Sequence, residues 1–578
     1  VEYGQRQDAC KNHPGYRSAA LRVTEHLARE LGNHENVIAW QTDNEFGCHG
    51  TVRCYCDYCE GEFQSWLAKR FGNDTETMNA AWGTAFWSQE YNAFNEVSVP
   101  RQPTGQMEGL PYRPGTQNPG LALDFFRFSS DTQVGFQREL IRIIRQHSPE
   151  RPITHNFMGA FSQIDYYKLA ADLDIVSWDN YPFFEVPGIF QPPSSFSHEL
   201  MRGLKRRNVW VMEQASGAGG WMEIPPTTEP GRMRLWAFQT IARGTDMVSF
   251  FRWRTNRYGT EMFWHGILDH HGEPRRRYDE LTQFARDMST LTEQAGDSTV
   301  TADYALIFDY ETLWSYEIQP QAPSGFNYRE FSARIVDTLG RMGLQADVVA
   351  PGTDLTDYPL VIAPSLQLVS AELAEQLSAY VKSGGRLVVG PRSGVRDPEN
   401  AIVNQVLPGL LKELAGAEVE EYDFFSGVPG GQVFVKDEAG TEYEVFGMAD
   451  LLKPAGAATL LTYQGRYYTG TPAATRNQIG SGMCYYLGTA PGAEGVKAIF
   501  APIAKEAGLT LTDEAPPAVE VTRREVNGTV YRFYLNHANE TRTVTAIAGG
   551  TSVLDGATVT AGGALELEGF GVAVVKEA

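Results

Sequence analysis

The stretch Val37-Ile38-Ala39-Trp40-Gln41-Thr42-Asp43-Asn44-Glu45-Phe46-Gly47 constrains the fold of this chain more than any other. Its apolar opening is too short for a buried helix and has the β-branched and aromatic content of a buried strand. It then turns polar, setting Asn44 beside Glu45. Val209-Trp210-Val211-Met212-Glu213-Gln214 has the same form. A carboxylate at the C-terminal end of a buried parallel strand is where a (β/α)8 barrel carries its catalytic groups.

Strands and helices alternate around these segments. Strands are predicted at 37–41, 153–157, 175–178, 209–212 and 247–251, and helices at about 16–31, 62–71, 123–147, 232–243 and 277–293. Such alternation specifies a parallel α/β sheet. The strands number five, so the first three strands of an eight-stranded barrel are expected to be missing from the sequence. Past residue 300, strands at 304–309, 345–349, 360–364 and 386–390 alternate with helices at about 328–342 and 371–383, a doubly wound pattern. From about 515 the chain becomes short alternating strands with glycine turns. The expected architecture is α/β: a TIM barrel over 1–299, a flavodoxin-like α/β domain over 300–514 and a small β-sandwich over 515–578.

Size supports several domains, because single cores stop growing near ~250–300 residues. A net charge of −22 argues against a nucleic-acid partner, since phosphate binding needs a basic surface. No window approaches the ~20 apolar residues of a membrane span. No signal peptide is visible, and a cytoplasmic location is expected. A long stretch at 82–120 holds Trp82, Trp87, Tyr91, Pro100, Pro103, Pro111 and Pro114. It either lines a cleft with aromatic faces or packs over the barrel rim.

Two strand-end glutamates suit glycoside hydrolysis, in which one carboxylic acid and one carboxylate flank the scissile bond. Two strands of one barrel can hold them ~5–5.5 Å apart, the separation of retaining enzymes. Glu45 is assigned as general acid/base and Glu213 as nucleophile. The acid needs a raised pKa, and the nucleophile must stay ionised. Asn44 is placed to hydrogen-bond the sugar 2-hydroxyl. Separately, Cys54-x-Cys56-x-x-Cys59 offers thiolates for a structural zinc ion, which needs a fourth ligand, either Cys10 or Cys48.

These segments together resemble glycoside hydrolase family 42 β-galactosidases. The resemblance rests on Arg6 and Cys10 with Pro14-Gly15-Tyr16-Arg17, on Trp40 to Gly47, and on the Cys54–Cys59 run. Trp178-Asp179-Asn180-Tyr181-Pro182, Met212-Glu213-Gln214 with Trp221, and Glu261 to Asp269 complete it. It implies a retaining β-D-galactosidase with the acid/base on the fourth barrel strand and the nucleophile on the seventh. Related α-L-arabinopyranosidase or β-fucosidase activity, or a non-catalytic sugar-binding role, are the alternatives. It implies galactose contacts from Arg6, Asn44, Trp221, Glu261 and His265, with Tyr181 orienting the nucleophile or simply packed. It also implies Cys10 as the fourth zinc ligand and a homotrimer shaped by the second domain. That domain resembles a class I glutamine amidotransferase, but amidotransfer needs a nucleophilic cysteine and none lies between Cys59 and Cys484.

Overall fold

The computed structural model describes residues 6–101, 117–182, 195–221, 226–321, 325–426 and 431–578. The first part is a five-stranded parallel sheet in the order β1 (Trp40–Asn44), β2 (Ile153–Phe157), β3 (Ser177–Asn180), β4 (Val209–Ala215), β5 (Thr245–Phe251). Sequential order with helical crossovers is the (β/α) barrel pattern. The apolar start of the first stretch differs from expectation. Val37 and Ile38 precede β1, and Ile38 is 66% exposed. Pairing begins where the Trp40 N–H donates to Pro152 O, so the strand proper is the polar half, Trp40–Asn44.

Helices α1 (Pro14–Leu31), α2 (Asp57–Arg70), α3 (Thr75–Trp82) and α4 (Pro119–His147) flank β1. His13 and Asn118 cap α1 and α4 with side-chain acceptors, each followed by proline at the first turn. Helices α5 (Tyr166–Ala170), α6 (Phe196–Gly203), α7 (Arg232–Ala242) and α8 (Arg276–Ala295) follow the later strands. In the aromatic stretch Trp82 and Tyr91 pack with Phe71 and the cysteine loop, and the Trp82 indole N–H donates to Asp124. Packing is therefore the role of those rings. Trp87 is exposed, and Pro103, Pro111 and Pro114 fall outside the described residues.

The second domain has the expected parallel half, with β6 (Tyr304–Ile307), β7 (Ala346–Val349), β8 (Leu360–Ala363) and β9 (Arg386–Val389) in the order β7-β6-β8-β9. The sheet then continues through antiparallel strands between Phe434 and Pro491 to reach ten strands, a half the periodicity did not reveal. The last part is antiparallel, led by Val519–Val526, Thr529–Asn536 and Val572–Glu577. Among the described residues no helix is long and apolar enough to cross a membrane.

One hydrophobic cluster runs from Ile153 and Val211 of the barrel sheet to Leu306 and Val348 of the second domain, so these two parts share a core. Gly203 lets α6 touch β7: a Cβ there would meet Val348 O at 2.0 Å. Charge docks the last part. Glu520, buried, accepts from Arg243 Nε at 2.7 Å and Gln239 Nε2 at 2.8 Å, and meets His537 Nε2 at 3.0 Å. Burial pushes the Glu520 carboxyl up, but Arg243 and His537 outweigh it and hold it well below the ordinary range. A depressed carboxylate stabilises the fold above its unfolded value and loses that contribution as pH falls through the folded one. E520A leaves Arg243 and His537 without this partner, a loss of about 3–5 kcal/mol. The expected outcome is a lower unfolding midpoint at neutral pH, with the gap to wild type narrowing in strong acid.

Candidate active site

The C-terminal ends of β1 to β4 converge on one cavity of about 690 Å³, lined among others by Arg6, Asn44, Glu45, Tyr181, Glu213 and Trp221. Register sets this convergence: Asn44 lies opposite Asn156, and Asp179 opposite Glu213. Glu45 itself takes φ +40, a left-handed conformation rare for a side-chain-bearing residue. The next turn needs Gly47, where φ is +81 and a Cβ would meet Val52 Cγ2 at 2.1 Å.

One oxygen each of Glu45, Asp179 and Glu213 lies within 4.8 Å of the others. The donors around them are unequal. Glu45 Oε2 faces Arg6 Nη2 at 3.3 Å and Asn44 Nδ2 at 3.4 Å. Glu213 Oε2 accepts from the Tyr181 hydroxyl at 2.7 Å. Glu261 pairs with Arg252 at 2.7 Å and lies 3.7 Å from Arg6. Burial raises the Glu213 carboxyl, the Tyr181 hydrogen bond and Arg6 oppose this, and Glu45 and Glu261 add to it. Burial, with Glu213 and Glu45 behind it, holds the Asp179 carboxyl far above its ordinary value.

Asn156 on β2 organises the strand ends. Its Oδ1 accepts from the Glu45 N–H and from Gln41 Nε2, each at 3.0 Å. Its Nδ2 donates to Asn44 Oδ1 at 3.0 Å and Asp179 Oδ2 at 2.7 Å. Beside it His155 is fully buried, which pushes its pKa down to about 3. It is neutral: Nε2 accepts from the Phe46 N–H at 3.2 Å, leaving Nδ1–H to donate to Thr42.

Trp221 is 39% exposed at the cavity and packs on Trp264 at 4.9 Å between centroids. His265 does not line the cavity. Its Nδ1 is buried with no hydrogen-bond partner among the described residues, and burial together with Arg277 lowers its pKa.

The sulfurs of Cys10, Cys54, Cys56 and Cys59 lie within 4.8 Å of one another, and none is in a disulfide. Cys10 is 3.4 Å from Cys59 and 3.6 Å from Cys56. A tetrahedron with zinc–sulfur bonds of ~2.3 Å has sulfur–sulfur edges of about 3.8 Å, so the four thiols fit such an ion. Asn12 Nδ2 donates to Cys59 at 3.3 Å, the kind of outer contact that fixes a ligand. Cys48, the rival fourth ligand, is elsewhere. It lines the cavity beside Glu45, and burial and that carboxylate push its thiol up to about 12.

A family model described as β-galactosidase, glycoside hydrolase family 42, matches residues 1–291. The chain belongs to glycoside hydrolase family 42. Companion models described as the β-galactosidase trimerisation domain and C-terminal domain match residues 302–510 and 518–577. A β-galactosidase of Haloferax lucentense is 36% identical, over 94% of this chain and 80% of that protein. The crystal structure of a Bacillus circulans sp. alkalophilus β-galactosidase aligns with a TM-score of 0.92 at 30% identity, covering 100% of this chain and 84% of that one. A β-galactosidase from the haloarchaeon Halorubrum lacusprofundi aligns with a TM-score of 0.90 at 33% identity, covering 100% and 84%. The chain is a glycoside hydrolase.

In this family 42 chain the sequence reading brought Arg6, Asn44, Glu45, Tyr181, Glu213, Trp221 and Glu261 to one cavity. It gave no role to Asp179, Asn156 or His155, and offered Cys48 only as a rival zinc ligand. Asp179 and Asn156 do sit at predicted strand ends, which is the signal that marks them.

Proposed function

We propose that the chain is a retaining β-D-galactosidase acting on terminal, non-reducing β-galactosides such as lactose. The observation that carries this reading is the spacing of Glu45 and Glu213, whose nearest oxygens lie within 4.8 Å. A covalent mechanism needs carboxyls ~5–5.5 Å apart, whereas inversion needs ~6.5–9.5 Å to admit a water. Glu213 attacks the anomeric carbon as Glu45 protonates the leaving oxygen. Glu45 then takes a proton from the water that releases the sugar. Tyr181 donates to Glu213 and favours its ionised, attacking form against burial. Arg6, beside both Glu45 and Glu261, is suited to fix sugar hydroxyls, Asn44 to hold the 2-hydroxyl and Trp221 to offer a face to the ring. His265 is not among the residues lining the cavity and takes no sugar contact in this reading.

E213A should lose at least about 10⁴-fold in kcat on an aryl β-galactoside, with partial rescue by azide giving the α-galactosyl azide. E45A should slow poor leaving groups far more than activated ones. Unchanged rates in both variants would overturn the reading.

The tetrathiolate set Cys10, Cys54, Cys56 and Cys59 is suited to a structural zinc ion, which would brace the loop between β1 and α2. The match of residues 302–510 to a trimerisation domain supports a homotrimer. Native mass spectrometry tests both. The expected species is three chains with about one zinc each, and C54S should lose the metal and melt earlier. A metal-free monomer would contradict both.

A further inference from the structure

Three carboxyls crowd the cavity floor, and the mechanism above uses two of them. The third, Asp179 on β3, is 6% exposed and the most deeply placed. Among the described residues no lysine or arginine forms an ion pair with it. Asn156 Nδ2 satisfies its Oδ2 at 2.7 Å. Its Oδ1 is buried with no donor. The amide cannot be turned to help, because Asn156 Oδ1 must accept the Glu45 N–H. What faces Asp179 is acidic or neutral: the Glu45 carboxyl within hydrogen-bond reach, Glu213, and the hydroxyl-bearing rings of Tyr181 and Tyr166. Two arginines line the cavity: Arg6 pairs with Glu45 and lies 3.7 Å from Glu261, and Arg329 donates to Ala160 O at 3.2 Å.

An ionised carboxylate in that setting is an unpaired buried charge beside the ionised Glu213, a costly arrangement that becomes worse once Glu45 has given up its proton. A proton on Oδ1 removes the charge, gives the orphan oxygen a bond to make, and makes the Asp179 side chain a donor with the Glu45 carboxyl within its reach. We propose that Asp179 is a positioning residue that stays protonated through the catalytic cycle and holds the Glu45 carboxyl by donating a hydrogen bond to it. This rests on the reading of Glu45 as acid/base.

The proton count closes. In the first step Glu45 gives its proton to the leaving oxygen and becomes a carboxylate. The Asp179 hydroxyl, a donor already in place, then bonds a charged acceptor and the bond strengthens, so it acts where charge develops. In the second step Glu45 regains a proton from water, and Asp179 keeps its own throughout.

The test pairs two variants of the full enzyme with two readouts. In D179N the side chain is neutral and keeps both an acceptor for Asn156 and a donor for Glu45. In D179A the donor is gone. Infrared difference spectra of resting wild type minus D179N at neutral pH should show a protonated carboxylic C=O band belonging to wild type. Loss of carboxylate bands instead would overturn the proposal, whatever the activity. In kinetics D179A should lose about 10- to 100-fold in kcat, while D179N loses less than about tenfold. Both limbs of the kcat/KM pH profile should stay in place in D179N. If Asp179 were ionised, D179N would remove a negative charge within 4.8 Å of both glutamates and move both limbs to lower pH, which contradicts the proposal. Melting temperatures of both variants separate these outcomes from misfolding. An inactive wild type would sink the hydrolase reading but leave the infrared result standing.

Discussion

Everything at the catalytic face depends on one amide. Asn156 joins the ends of three neighbouring strands, bonding the Glu45 backbone, the Asn44 side chain and the Asp179 carboxyl. Parallel strands in register bring their C-terminal ends level, and the amide fixes which atoms face each other there. Glu45 pays for its place with a left-handed backbone, held by the Asn156 acceptor on one side and the Gly47 turn on the other. Hydrogen-bond geometry, more than apolar packing, therefore decides where the carboxyls meet.

The surrounding scaffold limits how far that floor can relax. Phe46, next to Glu45, stacks on neutral His155 at 4.3 Å, and its N–H is taken by the same ring. The cysteine cluster anchors the far end of the loop that leaves β1 and joins it to α2. The second domain shares the barrel's core, and the last domain is locked to α6 and α7 through Glu199, Arg243 and Glu520. Three sequence domains thus behave as one support for one cavity.

The sequence made the barrel half, the parallel strands of the second domain and both glutamates legible, because each depends on local patterning. An apolar run ending in Glu45 or Glu213 can be seen without neighbours. The roles of Asp179 and Asn156 cannot, since they arise only when β1, β2 and β3 are aligned. Ile38 shows the opposite failure: it reads as strand core and lies exposed, because backbone pairing starts at Trp40. The antiparallel half of the second sheet escaped notice because strands in it mix polar and apolar residues on both faces, as in Pro472–Ile479. Cys10 against Cys48 was undecidable by spacing, and the path of the chain separates them by sending one to the thiol cluster and the other to Glu45.

The central claim is that Glu213 forms a covalent bond to the sugar while Glu45 manages the proton. Trapping tests it most directly. Incubation with a 2-deoxy-2-fluoro-β-galactosyl fluoride, digestion and peptide mass spectrometry should find a single fluorogalactosyl ester on Glu213. An ester on Glu45 or another residue, or steady turnover to inverted sugar with no ester at all, would contradict the account.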